Sequence, residues 1–215
     1  MGRTKRNKQR RRRTADVVVG GGYACAVDGV RIRRARRGEG RRVLELLSVI
    51  DTDYEDLDCA ADRIDAGVYE TSGPGLRRAL VAEDSGGADM VGALLALPPG
   101  DLLHRMREAG IPGPVVNGVA RRVGKLKAVA VMPERKGDGI GAALVRAFTD
   151  EYAAARYDVV FAQVDSDKPA LVQWYERMGF QALRAGAPLR VDPDGRVAIL
   201  PADGEQLVVR ALPGE

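Results

Sequence analysis

The chain has 215 residues, 45% of them hydrophobic, with 34 Lys and Arg against 30 Asp and Glu for a formal net charge of +4. This is the composition of one ordinary globular domain able to bury a core, and no apolar run approaches the roughly 18 residues of a membrane span. Two cysteines, Cys25 and Cys59, match no metal spacing and build no disulfide framework, so the expectation is a cytoplasmic protein without a metal or a membrane contact.

Residues 1–13 carry eight Lys and Arg and no acid, which leaves 26 basic against 30 acidic residues, a charge of −4, for the rest of the chain. Such a run lacks the apolar surface to fold. It fits two readings: an electrostatic arm for RNA or DNA through residues 3–13, or a solvated extension. Ala15–Val27 follows the basic residues as a signal peptide would, but Gly20–Gly22 interrupts its apolar core, so residues 1–28 read as tail and linker and 29–215 as the domain.

Val30–Arg37 alternates weakly as a first strand, and Gly38-Glu-Gly40 breaks into an amphipathic helix with Val43, Leu44, Leu46, Leu47 and Ile50 apolar. The segment Asp51–Asp58 then places five carboxylates in eight residues, where acids also suit the dipole of a starting helix. Ala79–Glu83 and Met90–Leu97 read as a hairpin. An insertion over about 98–124 follows, with Asp101 as the N-cap of a short helix Leu102–Ala109 that Gly110 stops; it could serve as a lid or a homodimer contact. It holds His104, the single histidine, either an idle surface residue or a general base.

Leu126–Met132 is apolar except for Lys127, as a strand buried on both faces would be. Pro133 stops it, glycines fall at 137, 139 and 141, and Leu144, Val145, Phe148 and Tyr152 then recur at helical spacing, with Arg146, Asp150 and Glu151 left for water. Asp158–Val164 reads as another buried strand. Asp167 can cap the next helix, which tolerates Pro169 in its first turn and stops at Gly179, with Phe180 packing back. An Asp-Gly turn within Val191–Val197 precedes a last strand, Gln206–Leu212.

A strand entering a glycine-rich turn at a helix N-terminus makes an anion site, because the first N–H groups of the helix lack intrahelical acceptors and the dipole adds positive potential. Two other phosphate motifs do not fit. Ala142 and Ala143 stand where a P-loop needs Lys and Ser or Thr, and Ala142 also breaks a Gly-x-Gly-x-x-Gly frame begun at Gly137. A plain tight connection is the bland alternative.

Lys136–Gly141, basic-x-x-Gly-x-Gly, resembles the acyl-CoA loop of the GNAT acyltransferase superfamily, Arg/Gln-x-x-Gly-x-Gly/Ala. Asp167–Phe180 resembles that family's second signature, Asn-x-x-Ala-x-x-x-Tyr-x-x-x-Gly-Phe, with minor length variation. Lys136 for Arg or Gln is a mild departure, whereas Asp167 for Asn loses an amide donor. The likeness covers roughly Val30–Phe180.

The resemblance implies an α/β fold with a mixed, mostly antiparallel central sheet flanked by helices. It implies acetyl-CoA as co-substrate, with its pantetheine arm on the backbone of Val129 and Val131 and its pyrophosphate on amides of Gly137, Asp138, Gly139, Ile140, Gly141 and Ala142. Lys136, Asp167 and Ala170 complete the implied cofactor set, and the Asp138 carboxylate stands beside the same amides as a competitor. Asp51, Asp53, Tyr54 and Glu55 would border the acceptor groove, where acids favour a cationic amine; a solvated helix start is the other reading. Tyr175 takes the general-acid position, or packs beside Trp174. The family's usual strand carboxylate is missing from Leu126–Met132, so Glu134, Asp165, Asp51 and His104 remain open as the base. Acetyl transfer to an amine by direct attack is the implied function; the alternative is a non-catalytic acyl-CoA-binding module with a nucleic-acid-binding tail.

Overall fold

The computed structural model describes residues 27–50, 54–71, 73–87, 89–192 and 194–213, with residues 54–56 described through their backbone alone. The strands are β1 (Val30–Arg34), β2 (Arg78–Asp84), β3 (Met90–Leu97), β4 (Val123–Val131), β5 (Val159–Asp165), the short β6 (Gln181–Ala182), β7 (Leu189–Arg190) and β8 (Ala198–Ile199), and β9 (Glu205–Ala211). The helices are α1 (Gly40–Leu47), α2 (Tyr54–Asp65), α3 (Gly100–Glu108), α4 (Gly113–Ala120), α5 (Ile140–Ala154) and α6 (Pro169–Glu176). Seven strands form one sheet in the order β1-β2-β3-β4-β5-β9-β6, while β7 and β8 pair separately. Every neighbouring pair in the sheet is antiparallel except β4 and β5. The fold is therefore α/β with a mixed, mostly antiparallel sheet. The parallel pair requires a crossover, which α5 supplies.

Helices cover both faces. Against one face, α5 buries Leu144, Phe148 and Tyr152, each 0% exposed, over Leu80, Leu94 and Leu126. Removing side chains of this size from water contributes about 1.5–3 kcal/mol each. On the other face, α1 and α2 pack Val43, Leu47, Leu57 and Ile64 over Val81, Leu95 and Ala128. Beside them α3 and α4 pack Leu102, Met106, Val116 and Val119 over Val123, Phe161 and Leu207.

Several elements depart from expectation. β4 starts at Val123, inside the expected insertion, which also contains a second helix, α4. Its sequence, Gly-Pro-Val-Val-Asn-Gly-Val-Ala, has weak helix propensity. Packing of Val116, Val119 and Ala120 into the core compensates. The N-cap of α3 is Pro99, so Asp101 lies in the first turn instead of capping it. Likewise Lys168, not Asp167, is the N-cap of α6.

Glu151, expected to face water, is buried with a side chain only 6% exposed. Arg34 of β1 donates to it through Nε (3.2 Å) and Nη2 (3.0 Å), and Arg78 of β2 donates through Nε. Burial raises the Glu151 carboxyl to about 7, while the two guanidiniums in contact oppose that shift by favouring its charged form. This cluster ties α5 to the first hairpin.

Candidate active site

The parallel pairing of β4 and β5 runs from Val123↔Val159 to Leu126↔Ala162 and goes no further. Both strands continue, β4 to Val131 and β5 to Asp165, so a wedge opens between them. Its cause is a bulge. Against β3, Leu126 pairs with Ala96 but Ala128 pairs with Leu95, which leaves Lys127 as an extra residue on β4. The bulge also reverses the facing pattern: Leu126 packs toward α5, whereas Ala128 and Ala130 pack toward α1 and α2. Beyond it, Met132 N–H donates to Val91 O at 2.9 Å, toward β3. Backbone groups alternate along a strand, so those of Val131 and Val129 point the other way, into the wedge.

Above the wedge, residues 133–135 form one 3₁₀ turn, Lys136 is extended, and Gly137 (φ 97°) and Gly139 (φ 82°) adopt left-handed backbone that side chains with a Cβ disfavour. Gly139 is the N-cap of α5, and the first recorded bond into that helix runs from Ala143 N–H to Gly139 O at 3.0 Å. The N–H groups of Ile140, Gly141 and Ala142 precede it and lack intrahelical acceptors. A Cβ on Gly141 would lie 3.3 Å from Trp174 Cζ2 and 3.6 Å from Val131 Cγ2, so the loop, the wedge strand and α6 converge at that glycine.

Arg135 holds the turn in place. Its Nε donates to Asp138 at 2.8 Å and its Nη1 to Asp84 at the end of β2 at 2.9 Å. One oxygen of the Asp138 carboxylate, Oδ2, is thus engaged by a guanidinium. Lys136 is exposed.

Tyr175 is 4% exposed, with its ring edge-on to Trp174 (4.9 Å between centroids) and Phe180 (5.3 Å). Burial pushes its hydroxyl well above the ordinary tyrosine range, so it stays protonated at neutral pH. The helix ends as expected: Phe180 N–H donates back to Tyr175 O at 3.2 Å, and Gly179 takes φ 82°. Asp167 and Ala170 lie exposed at the start of α6.

The remaining candidates separate. Asp51 and Asp53 lie outside the described residues, as do the basic residues 3–13, and Tyr54 and Glu55 are placed only as the first residues of α2. His104 sits on α3 with a side chain 72% exposed, 3.2 Å from Glu108. Glu134 is exposed, and Asp165 is paired with Lys168. Among the described residues no group of His, Cys, Asp and Glu could hold a metal ion, and no helix is long and apolar enough to cross a membrane.

A glycine-rich helix N-terminus set over a wedge between two parallel strands, in an otherwise antiparallel sheet, is the arrangement that the resemblance to acyl-CoA-dependent acyltransferases implies. Residues 41–180 match the sequence model of the acetyltransferase (GNAT) family, and the chain belongs to that family. Over 59 residues it is 41% identical to the mycothiol acetyltransferase of Streptomyces griseus subsp. griseus, a match spanning 27% of this chain and 19% of that protein. The fold is similar to a GNAT family acetyltransferase from Elizabethkingia anophelis with acetyl-CoA bound (TM-score 0.53, 13% identity, 86% of this chain and 99% of that one). It is also similar to Ard1 from Thermoplasma volcanium (TM-score 0.55, 16% identity, 86% and 99%) and to a GNAT acetyltransferase from Streptococcus pneumoniae (TM-score 0.55, 15% identity, 86% and 99%). At such identities the likeness concerns the fold.

Proposed function

We propose that this protein transfers the acetyl group of acetyl-CoA to an amine by direct attack at the wedge between β4 and β5. What supports the reading is the convergence of the N–H groups of Ile140–Ala142, which lack intrahelical acceptors, with the backbone of Val129 and Val131 turned into the wedge; Tyr175 follows Trp174, the residue of α6 that reaches Gly141. The amides of residues 137–142 would take the pyrophosphate, and an extended pantetheine arm would continue the sheet along β4. Lys136, Asp167 and Ala170 would border the cofactor.

Within that arrangement a neutral amine beside the thioester avoids the entropic cost of a bimolecular encounter. A strand N–H stabilises charge developing on the carbonyl oxygen. As the C–S bond breaks, Tyr175 donates a proton or strong hydrogen bond to the departing sulfur; its burial keeps that proton available at neutral pH. No carboxylate lies on β4, whose polar members are Lys125 and Lys127, so proton removal from the amine falls to a group outside that strand or to water.

The experiment is thiol release from acetyl-CoA across a panel of amines, small molecules, peptides and aminoacyl-tRNA included. Release that depends on an acceptor, with the acetylated product identified by mass, supports the reading. Tight acetyl-CoA binding with no acceptor-dependent release would favour a non-catalytic acyl-CoA-binding module.

A further inference from the structure

A cavity of about 350 Å³ opens on the face of the sheet opposite α5, between α3, the facing residues of β4 and β5, and the segment 199–202 that leads into β9. Leu102, Phe161 and Ile199 are buried in its wall, and Leu200 and Pro201 continue its apolar side. Its charged members on α3, Asp101 and Arg105, are exposed, while Lys125 is half-buried and already engaged.

The cavity reaches the crotch of the wedge. Lys125 and Phe161 pair across β4 and β5, and the pairing ends one residue later at Leu126 and Ala162. Gln163, the next residue of β5, still lines the cavity. The way into the wedge runs between the strands along β5, where Gln163 and Asp165 are half-buried, and not over Ala128 and Ala130, the face of β4 that α1 and α2 cover. An amine at Gln163 stands level with Lys127, two residues short of Val129, roughly 7 Å along the strand.

Gln163 has an imposed orientation. Its Nε2 donates to Glu205 Oε2 of β9 at 2.7 Å, and the same oxygen accepts from Ala202 N–H at 3.2 Å. A carboxylate oxygen accepts and does not donate, so the amide cannot present its own oxygen to Glu205. Since β9 flanks β5 on the side away from β4, Gln163 Oε1 is turned the other way, toward the wedge. Among the described residues Oε1 has no partner, and it is open to solvent, because the one sealed side-chain polar atom without a partner is Arg33 Nε. An oriented acceptor at the inner end of an apolar cavity suits an N–H donor, which Lys125, itself a donor only, cannot receive.

We propose that this cavity is the acceptor site and that it takes a primary amine on an apolar arm. The arm lies against Leu102, Phe161 and Leu200, and the nitrogen donates to Gln163 Oε1 beside the wedge. Glu205 is a positioning residue that acts through the Gln163 amide. The functional role rests on the acetyltransferase reading above; the cavity and the orientation of Gln163 do not.

Calorimetry on the intact chain saturated with CoA tests the site with three probes: heptylamine, its ether isostere 2-(2-methoxyethoxy)ethylamine, and ethylamine. Heptylamine should bind at least tenfold more tightly than either of the others, because only its arm is both long and apolar. Leu200→Asp, at a position 54% exposed, should cut that preference at least threefold without disturbing the fold. Gln163→Met keeps the side-chain length, removes the acceptor, and should weaken heptylamine at least fivefold while CoA affinity stays the same. Glu205→Gln frees the Gln163 amide to turn over and should weaken heptylamine too, yet add nothing to the loss in Gln163→Met when the two are combined. Equal affinity for the three probes, or a preference unchanged in Leu200→Asp, overturns the cavity as the acceptor site. Wild-type heptylamine affinity in a folded Gln163→Met protein overturns the contact, and additive losses in the double variant overturn the role of Glu205. Thiol release from acetyl-CoA with the same amines separates the two levels. Heptylamine-selective binding without release leaves the cavity standing and overturns the acetyltransferase reading. Release that ignores both the arm and Leu200→Asp does the reverse.

Discussion

Substitution at Gly141 and Gly139 separates two ways in which the loop depends on glycine. At Gly141 the constraint is space: a Cβ there meets Trp174 at 3.3 Å and Val131 at 3.6 Å. That is tight for one carbon and leaves no room for a branched one. Gly141→Ala should therefore cost little, because the half-buried indole can yield by a few tenths of an ångström. Gly141→Val should displace Trp174 or the first turn of α5 and weaken acetyl-CoA binding at least tenfold, about 1.4 kcal/mol. At Gly139 the constraint is conformation. Its φ of 82° lies in the left-handed region, while the nearest atom to an added Cβ is Val27 Cγ2 at 3.7 Å. Holding an L-residue there costs about 1–2 kcal/mol, so even Gly139→Ala should loosen the N–H array and weaken binding by roughly five- to thirty-fold. Calorimetry with acetyl-CoA, beside circular dichroism to verify the fold, reads these differences. Wild-type affinity in folded Gly141→Val and Gly139→Ala proteins would refute the assignment of the phosphates to this loop.

Tyr175→Phe keeps the ring packed between Trp174 and Phe180 but removes the proton donor, so kcat should fall by roughly 10- to 10⁴-fold while the acetyl-CoA dissociation constant hardly moves; an unchanged kcat would make Tyr175 a packing residue. Stability should fall in acid because Arg33 donates to Glu83 at 2.8 Å and its hydrogen bond holds the Glu83 carboxyl below the ordinary 4.5. A depressed carboxyl pKa contributes stability that is complete above the unfolded value and lost as pH falls through the folded one. Glu83→Gln should therefore flatten the denaturant midpoint against pH below about 4.5, and a parallel decline in both proteins would contradict this. Deleting residues 1–13, which carry eight Lys and Arg, should abolish salt-sensitive binding to nucleic acid in a gel-shift titration and leave acetyl-CoA affinity intact; retained nucleic-acid binding would dismiss the arm.

The parts of this fold that were legible in the sequence are those encoded locally. The apolar run of β4, the glycines at 137, 139 and 141, and the Gly179-Phe180 helix end each announce themselves within a few residues, and the structure forms them. Non-local features escaped. The bulge at Lys127 that opens the wedge is a register shift against β3, and nothing in Leu-Lys-Ala-Val marks it. Glu151 reads as solvent-facing on a helical wheel, because its partners Arg34 and Arg78 come from strands far away in sequence. α4 is built largely from glycine and β-branched residues that prefer other conformations, and the packing of Val116, Val119 and Ala120 against α3 and the sheet offsets that preference. Asp101 and Asp167 have capping chemistry, yet the helices begin at neighbouring residues, within the usual one- or two-residue latitude of such ends.

Backbone amide NMR of the protein titrated with acetyl-CoA measures most directly where acetyl-CoA binds. The predicted result is that the largest shifts fall on Val129 and Val131 and on residues 137–142, with Trp174 Nε1–H moving as the loop closes on its ligand. Amides of β1 and of the cavity of about 440 Å³ beside it, lined by Arg34, Arg37 and Glu70, should stay in place. Shifts concentrated at that cavity, with the α5 N-terminus unmoved at saturating acetyl-CoA, would contradict the account.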